Sequence, residues 1–174
     1  MHHNRMRGML SSLFAGLLIM TAPVSFAAQN GPDSLVGKAA PDFTLKNTSG
    51  KEVSFSQLKG KPVLIEFWAT WCPYCLEVLP GVEKIYKEYS SKGIEVVAVS
   101  VDTKQEKVAP FLEKNAYTMP VLLDDGNMLK RFNTRIIPTV FLIDRTGVVR
   151  KYWTNYGKKG QNLIESELDK MIEK

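Results

Sequence analysis

Val63-Leu64-Ile65-Glu66-Phe67-Trp68-Ala69-Thr70-Trp71-Cys72-Pro73-Tyr74-Cys75 is the stretch from which the rest of the chain can be read. An apolar run ends in Cys-x-x-Cys. Leu76, Leu79, Val82, Glu83, Ile85, Tyr86 and Tyr89 then follow at helical spacing. The pattern is a buried strand that delivers two cysteines to the start of a helix. A helix N-terminus has unpaired N–H groups and positive dipole character, so it favours an anion. A thiolate placed there has a lowered pKa and is the reactive form of cysteine. Pro73 suits the first turn, where its missing N–H costs little.

Cys-x-x-Cys also occurs in metal and haem sites. A structural zinc site takes about four Cys or His ligands. The chain has only Cys72 and Cys75, and its two histidines, His2 and His3, stand at the far N-terminus. A c-type haem attachment needs His after the second cysteine, and residue 76 is Leu. A purely structural bridge over so short a loop gains the least entropy. A redox-active dithiol is the reading left for this strand, Cys-x-x-Cys, helix context.

The 174 residues suit one domain behind a short leader. At 44% hydrophobic and 24% charged, the composition can build a core without staples. The formal charge is +5, two of it from Arg5 and Arg7 in the leader. The remaining charges are interspersed, with no basic stripe of the kind that binds nucleic acid. Residues 1–27 read as a signal peptide. Arg5 and Arg7 form a basic start, Met9 to Ala22 is mostly apolar, and Ser25-Phe26-Ala27 supplies a small-residue cleavage point after Ala27. The alternative is an uncleaved anchor, although the apolar run falls short of the ~20 residues of a spanning helix. Either way the body would face an oxidising, extracytoplasmic space, where disulfides persist.

Residues 28–37 read as a flexible lead-in and 38–174 as one domain. Alternation predicts a hairpin of 43–46 with 51–55 around the turn residues 47–50. Strands are expected over 63–68, 94–101, 120–123, 139–143 and 148–153. Helices are expected over 73–90 (kinked at Pro80), 104–115, 127–132 and 161–173. No internal repeat or second domain is visible.

Trp-Cys-x-x-Cys after Phe-Trp-Ala resembles the active site of the thioredoxin superfamily. The opening Ala40-Pro41-Asp42-Phe43, the later Gly60-Lys61 and the segment 104–123 resemble its TlpA/ResA-like branch, whose members are thiol-disulfide oxidoreductases outside the bacterial cytoplasm. The resemblance spans about residues 38–172. It implies an α/β, thioredoxin-like fold: a mixed central sheet flanked by helices, with an N-terminal β-hairpin and a helix-strand insertion. It implies a Cys72–Cys75 redox disulfide in which Cys72 attacks a client disulfide and Cys75 resolves the mixed disulfide. Ile136-Ile137-Pro138-Thr139 matches the superfamily's cis-proline loop, so Ile137 and Pro138 are expected to lie beside the disulfide and bind the client chain. Trp71, Pro73 and Tyr74 are expected to join them.

Glu66 is a lone acid in an apolar strand. By itself it could lie on a solvated face. The resemblance places it as a buried acid below the second cysteine, where it would deprotonate Cys75. Thioredoxins often set a lysine opposite this acid; matching Asp102 puts Ala98 there. An unpaired buried carboxylate should have a raised pKa. The branch often has Glu three residues after the second cysteine, whereas Val78 stands here and Glu77 precedes it, a departure that bears on the choice of client. The implied partners are proteins with disulfides or thiols, apocytochrome c among them, and a membrane thiol-electron donor. No cofactor, metal or nucleic acid is implied, and a monomer is expected.

Peroxiredoxins share the Ala-Pro-Asp-Phe opening. Their Thr or Ser and upstream Pro are replaced here by Ala69 and Ile65, which argues against a peroxidase. Glutaredoxins share Cys-Pro-Tyr-Cys, but Trp71 and the absence of a Gly-Gly-like motif after Pro138 argue against glutathione binding. A copper chaperone of the same fold would add a His or Met ligand; Met119 is the one methionine near the relevant loop. Copper titration beside insulin reduction separates these classes.

Overall fold

The computed structural model describes residues 31–172; the leader 1–27 lies outside the described residues. A seven-stranded mixed sheet has the order β2-β1-β5-β4-β3-β6-β7. The strands are β1 (Thr44–Asn47), β2 (Glu52–Ser54), β3 (Val63–Trp68), β4 (Glu95–Ser100), β5 (Val121–Leu123), β6 (Thr139–Ile143) and β7 (Val149–Thr154). The helices are α1 (Pro73–Tyr89), α2 (Val108–Lys114), α3 (Met128–Arg131) and α4 (Gly157–Ile172). β3 is parallel to β4 and antiparallel to β6. The expected thioredoxin-like architecture, hairpin and insertion included, is the one found.

Every residue of β3 is buried, because helices cover both sheet faces. Leu64 and Trp68 enter one apolar cluster with residues of α1, α2 and α4. Val63, Ile65 and Phe67 enter the other, where Phe67, Phe132 and Phe141 meet edge-on with centroids 5.0–6.0 Å apart. Strand alternation puts Glu66 on the same face as Leu64 and Trp68. That face is the one α1 covers.

Helix α1 runs through Pro80 without a break. It passes at Ser90 into a 3-10 turn, Ser90–Lys92, which is closed by Gly93, whose φ of 87° lies in the left-handed region that glycine adopts without a Cβ clash. Its buried Glu83 reaches across to the insertion. The carboxylate accepts from Thr118 N and Met119 N, both at 2.9 Å, and from Thr118 Oγ1 at 2.6 Å. Burial alone would raise the Glu83 pKa. The hydrogen bonds from Thr118, Lys87 and Met119 outweigh it and hold the group below the usual value.

Three stretches differ from expectation by more than a residue at an end. The helix expected over 104–115 begins as a 3-10 turn, Gln105–Lys107, and is α-helical only over α2. Pro110 lies in the first turn of α2, where its missing N–H is tolerated, and the preceding residues close i to i+3 bonds instead. Helix α4 starts at Gly157, four residues before the apolar periodicity begins. The lead-in expected to be flexible over 28–37 is tied down in its described part. Gly37 N donates to Val149 O at 2.8 Å and Val149 N to Lys38 O at 2.9 Å. Tyr152 OH contacts Asp33, and Asn133 Nδ2 donates to Ser34 Oγ. The segment protects the edge of β7, where unpaired strand groups would otherwise face solvent.

Candidate active site

Strand β3 ends at Trp68, and its carbonyl accepts from Val101 N at 2.9 Å. Thr70 is then pinned from the end of β4. Buried Asp102 accepts from Thr70 N at 2.8 Å and from Thr70 Oγ1 at 2.6 Å, and its Oδ2 also accepts from Ser100 Oγ at 2.8 Å. This hook fixes where the chain enters α1. From the sequence, Asp102 is only the acid whose match puts Ala98 opposite Glu66. An acid at a strand end and a Thr before Trp-Cys were the available signals. Asp102→Ala should leave Thr70 N and Ser100 Oγ without this acceptor. Urea unfolding should register a loss of about 2–4 kcal/mol, on the scale of stranded buried polar groups.

Cys72 is the N-cap of α1 and Pro73 its first residue. Cys72 and Cys75 are joined in a disulfide with Cα atoms 5.3 Å apart. Cys75 N donates to Cys72 Sγ at 3.2 Å. In the reduced protein that N–H and the helix terminus both favour a Cys72 thiolate. Cys72 keeps 5% of its surface exposed and Cys75 none. Trp71 is 65% and Tyr74 68% exposed. Large apolar side chains so open to solvent at a reactive sulfur fit a surface that meets another chain. Ile136, not singled out from the sequence, is also exposed.

The Ile137–Pro138 peptide is cis, as expected from the motif, and the loop lies against the sulfurs. The carbonyl oxygen of Ile137 is 3.9 Å from Cys72 Sγ. Pro138 is buried and Ile137 half-buried. Two buried threonines hold the loop. Thr139 Oγ1 donates to Ile136 O at 2.6 Å, and Ile136 N donates to Thr134 Oγ1 at 3.3 Å. Among the described residues, the backbone groups of Ile137 take no backbone partner. They are available to an extended chain laid beside the disulfide.

Glu66 is fully buried. Its neighbours across the sheet are Ala98 on β4 and Val140 on β6, neither of which can pair with a charge. Ala98, Val140 and Cys75 all belong to the apolar cluster on this face. One partner reaches the carboxyl: Tyr156 OH donates to Glu66 Oε2 at 2.9 Å. Oε1 has no hydrogen-bond partner among the described residues. Burial drives the Glu66 pKa well up, opposed only by the Tyr156 hydrogen bond. The Tyr156 hydroxyl is itself pushed far up, by burial first and then by the carboxylate, so it stays neutral. Tyr156 escaped sequence reading, because 90 residues separate it from Glu66. No three His, Cys, Asp or Glu side chains gather as a metal-holding group among the described residues.

Comparison with known proteins matches residues 36–152 to the pattern of the AhpC/TSA family. The chain is 37% identical over 136 residues to the thioredoxin-like protein YneN of Bacillus subtilis, covering 76% of this chain and 78% of that one. It is 36% identical over 144 residues to the thiol-disulfide oxidoreductase ResA of Bacillus subtilis, covering 79% and 80%. Among solved structures, a thiol:disulfide interchange protein of the thioredoxin family from Chlorobium tepidum superposes with a TM-score of 0.68 at 26% identity, covering 77% of this chain and 95% of that one.

Proposed function

Because the chain belongs to the AhpC/TSA family, as a thiol-disulfide oxidoreductase of the ResA type, we propose that it reduces disulfides of client proteins outside the cytoplasm through Cys72 and Cys75. The observation that carries this reading is the pairing of a helix-capping disulfide with a backbone loop 3.9 Å away. The peroxidase chemistry of other members of this family is not proposed, since Ala69 and Ile65 replace the residues it needs.

In the first step the Cys72 thiolate attacks one sulfur of a client disulfide. The client's other sulfur leaves as a thiolate and takes a proton from solvent. The client chain lies along Ile137 and Pro138, with Trp71, Pro73, Tyr74 and Ile136 against its side chains. In the second step Glu66 takes the proton of the Cys75 thiol. Cys75 then attacks Cys72 Sγ, closing the intramolecular disulfide and releasing the second client sulfur. Two electrons pass from the dithiol to the client. A membrane thiol-electron donor would restore the dithiol. Apocytochrome c fits the client class of the branch. Support for an extracytoplasmic location comes from the basic, apolar and small-residue order of residues 5–27.

The direction of electron flow rests on the surroundings of Cys72. Its sulfur accepts one backbone N–H and no bond from a charged side chain among the described residues. A strong oxidant needs a heavily stabilised thiolate. The Cys72–Cys75 couple should therefore lie near the roughly −270 mV of a reductant rather than the roughly −120 mV of an oxidant. Equilibration against a glutathione or dithiothreitol buffer measures it. A value near the oxidant end would reverse the proposed direction.

A further inference from the structure

The carboxyl of Glu66 must be ionised to accept the Cys75 proton and protonated once it has done so. It has to be held in place in both states. Its strand neighbours Ala98 and Val140 offer no polar atom. From α1, the buried side chains of this cluster include Cys75, Leu79, Val82 and Tyr89; the Tyr89 hydroxyl donates to Asp169 at 2.9 Å, which leaves Cys75 as the titrating group of these four without another partner. The other buried acids turn elsewhere, Glu83 to the Thr118 backbone and Asp102 to Thr70. Among the described residues no charged side chain contributes to the Glu66 pKa, and Lys158 and Lys159 at the start of α4 are exposed. Tyr156 is what remains.

We propose that Tyr156 is the positioning residue of this proton transfer, its hydroxyl donating to the Glu66 carboxylate and accepting from the carboxylic acid. The inference rests on the role given to Glu66 above. A phenol suits it chemically, because one hydroxyl is both donor and acceptor. A lysine would favour only the ionised state, and phenylalanine would hold neither.

The chain around Tyr156 is shaped for this inward turn. Asn155 just before it has φ 47°, in the left-handed region, and Gly157 just after it has the same value. Gly160 is buried one turn into α4, and a Cβ there would overlap the Cβ of Tyr156. The missing side chain at 160 leaves the space through which the phenol reaches Glu66. Two glycines in the first turn are poor helix formers. Their cost is offset where they let a buried hydroxyl meet a buried carboxyl.

The test uses the full reduced protein and the aromatic disulfide DTNB. Attack by Cys72 releases a first thionitrobenzoate, and resolution by Cys75 releases a second, which stopped flow separates. In wild type the second burst should speed up with pH as Glu66 ionises. Tyr156→Phe removes a bond that lowers the Glu66 pKa. Its second burst should move its midpoint up by about one pH unit and run about tenfold slower below it. Gly160→Ala displaces the phenol without removing it and should shift the midpoint the same way. In a Glu66→Gln background Tyr156→Phe should add nothing.

An unmoved midpoint in Tyr156→Phe, with the rising limb lost in Glu66→Gln, would overturn the role of Tyr156 and leave that of Glu66 standing. The same shift with or without Glu66 would show the tyrosine acting elsewhere and would also overturn it. A rising limb intact in Glu66→Gln would remove the proposed base itself, and the tyrosine's role with it.

Discussion

Cys75→Ser will leave client proteins covalently attached to the enzyme through Cys72, and Cys72→Ser will leave almost none attached. Both variants will lose insulin-reduction turnover by about 10³-fold or more, the scale on which removing one member of a catalytic unit acts. The asymmetry follows from position. Cys72 caps α1, lies beside the Ile137 carbonyl and retains some exposed surface, while Cys75 is enclosed. Only Cys72 can meet a sulfur that arrives from outside. Cys75 can reach a sulfur already bonded to Cys72. Without it the mixed disulfide waits for an external thiol. Non-reducing gels of acid-quenched samples read the trapped species directly. Equal trapping by the two variants would refute the assigned order.

The second large effect belongs to Glu66→Gln. The wild-type carboxyl is enclosed among apolar side chains with one hydroxyl for company. Its folded pKa therefore stands well above the unfolded value, burial being the cause. The folded state holds this proton more tightly than the unfolded state does. The favourable contribution of the group is fully present below the unfolded pKa of about 4.3. It is lost as pH rises from there to the folded pKa. Each tenfold difference in proton affinity corresponds to about 1.4 kcal/mol. Glu66→Gln keeps the shape and removes the ionisation. Its stability relative to wild type should rise across that pH window and level off above it, as urea unfolding at a series of pH values will report. The same variant should slow the second DTNB burst by about 10²-fold, the low end of what general-base removal costs. A stability difference independent of pH would place Glu66 in contact with solvent, contrary to the structure.

Stability and activity pull against each other at this one residue. Above its raised folded pKa a carboxylate in an apolar layer weakens the fold, and the base role proposed for Glu66 requires that same ionised form. An amide at 66 relieves the first and forfeits the second.

The sequence by itself determined the elements whose information is local. A six-residue run with five apolar residues, Cys-x-x-Cys and helical periodicity place the two cysteines at the tip of α1 whatever surrounds them, since backbone geometry alone brings residues 72 and 75 together. Turn residues likewise set the hairpin of β1 and β2, whereas Ile137-Pro138 by itself marked only a turn before β6, and its place beside Cys72 was implied by the family resemblance. Tertiary structure decided the rest. The run 63–68 is apolar on both faces, so its period could not say which face Glu66 occupies or that the face is sealed. The Asp102 hook on Thr70, the threonine clasp of the proline loop and the Tyr156 bond to Glu66 join side chains to partners set by the fold. The Asp102 and Tyr156 pairs span 32 and 90 residues of chain. Such pairs depend on strand order and on where α4 begins. Strand order follows from burying two apolar faces at once across the whole sheet, a condition on the entire chain that no window of residues contains.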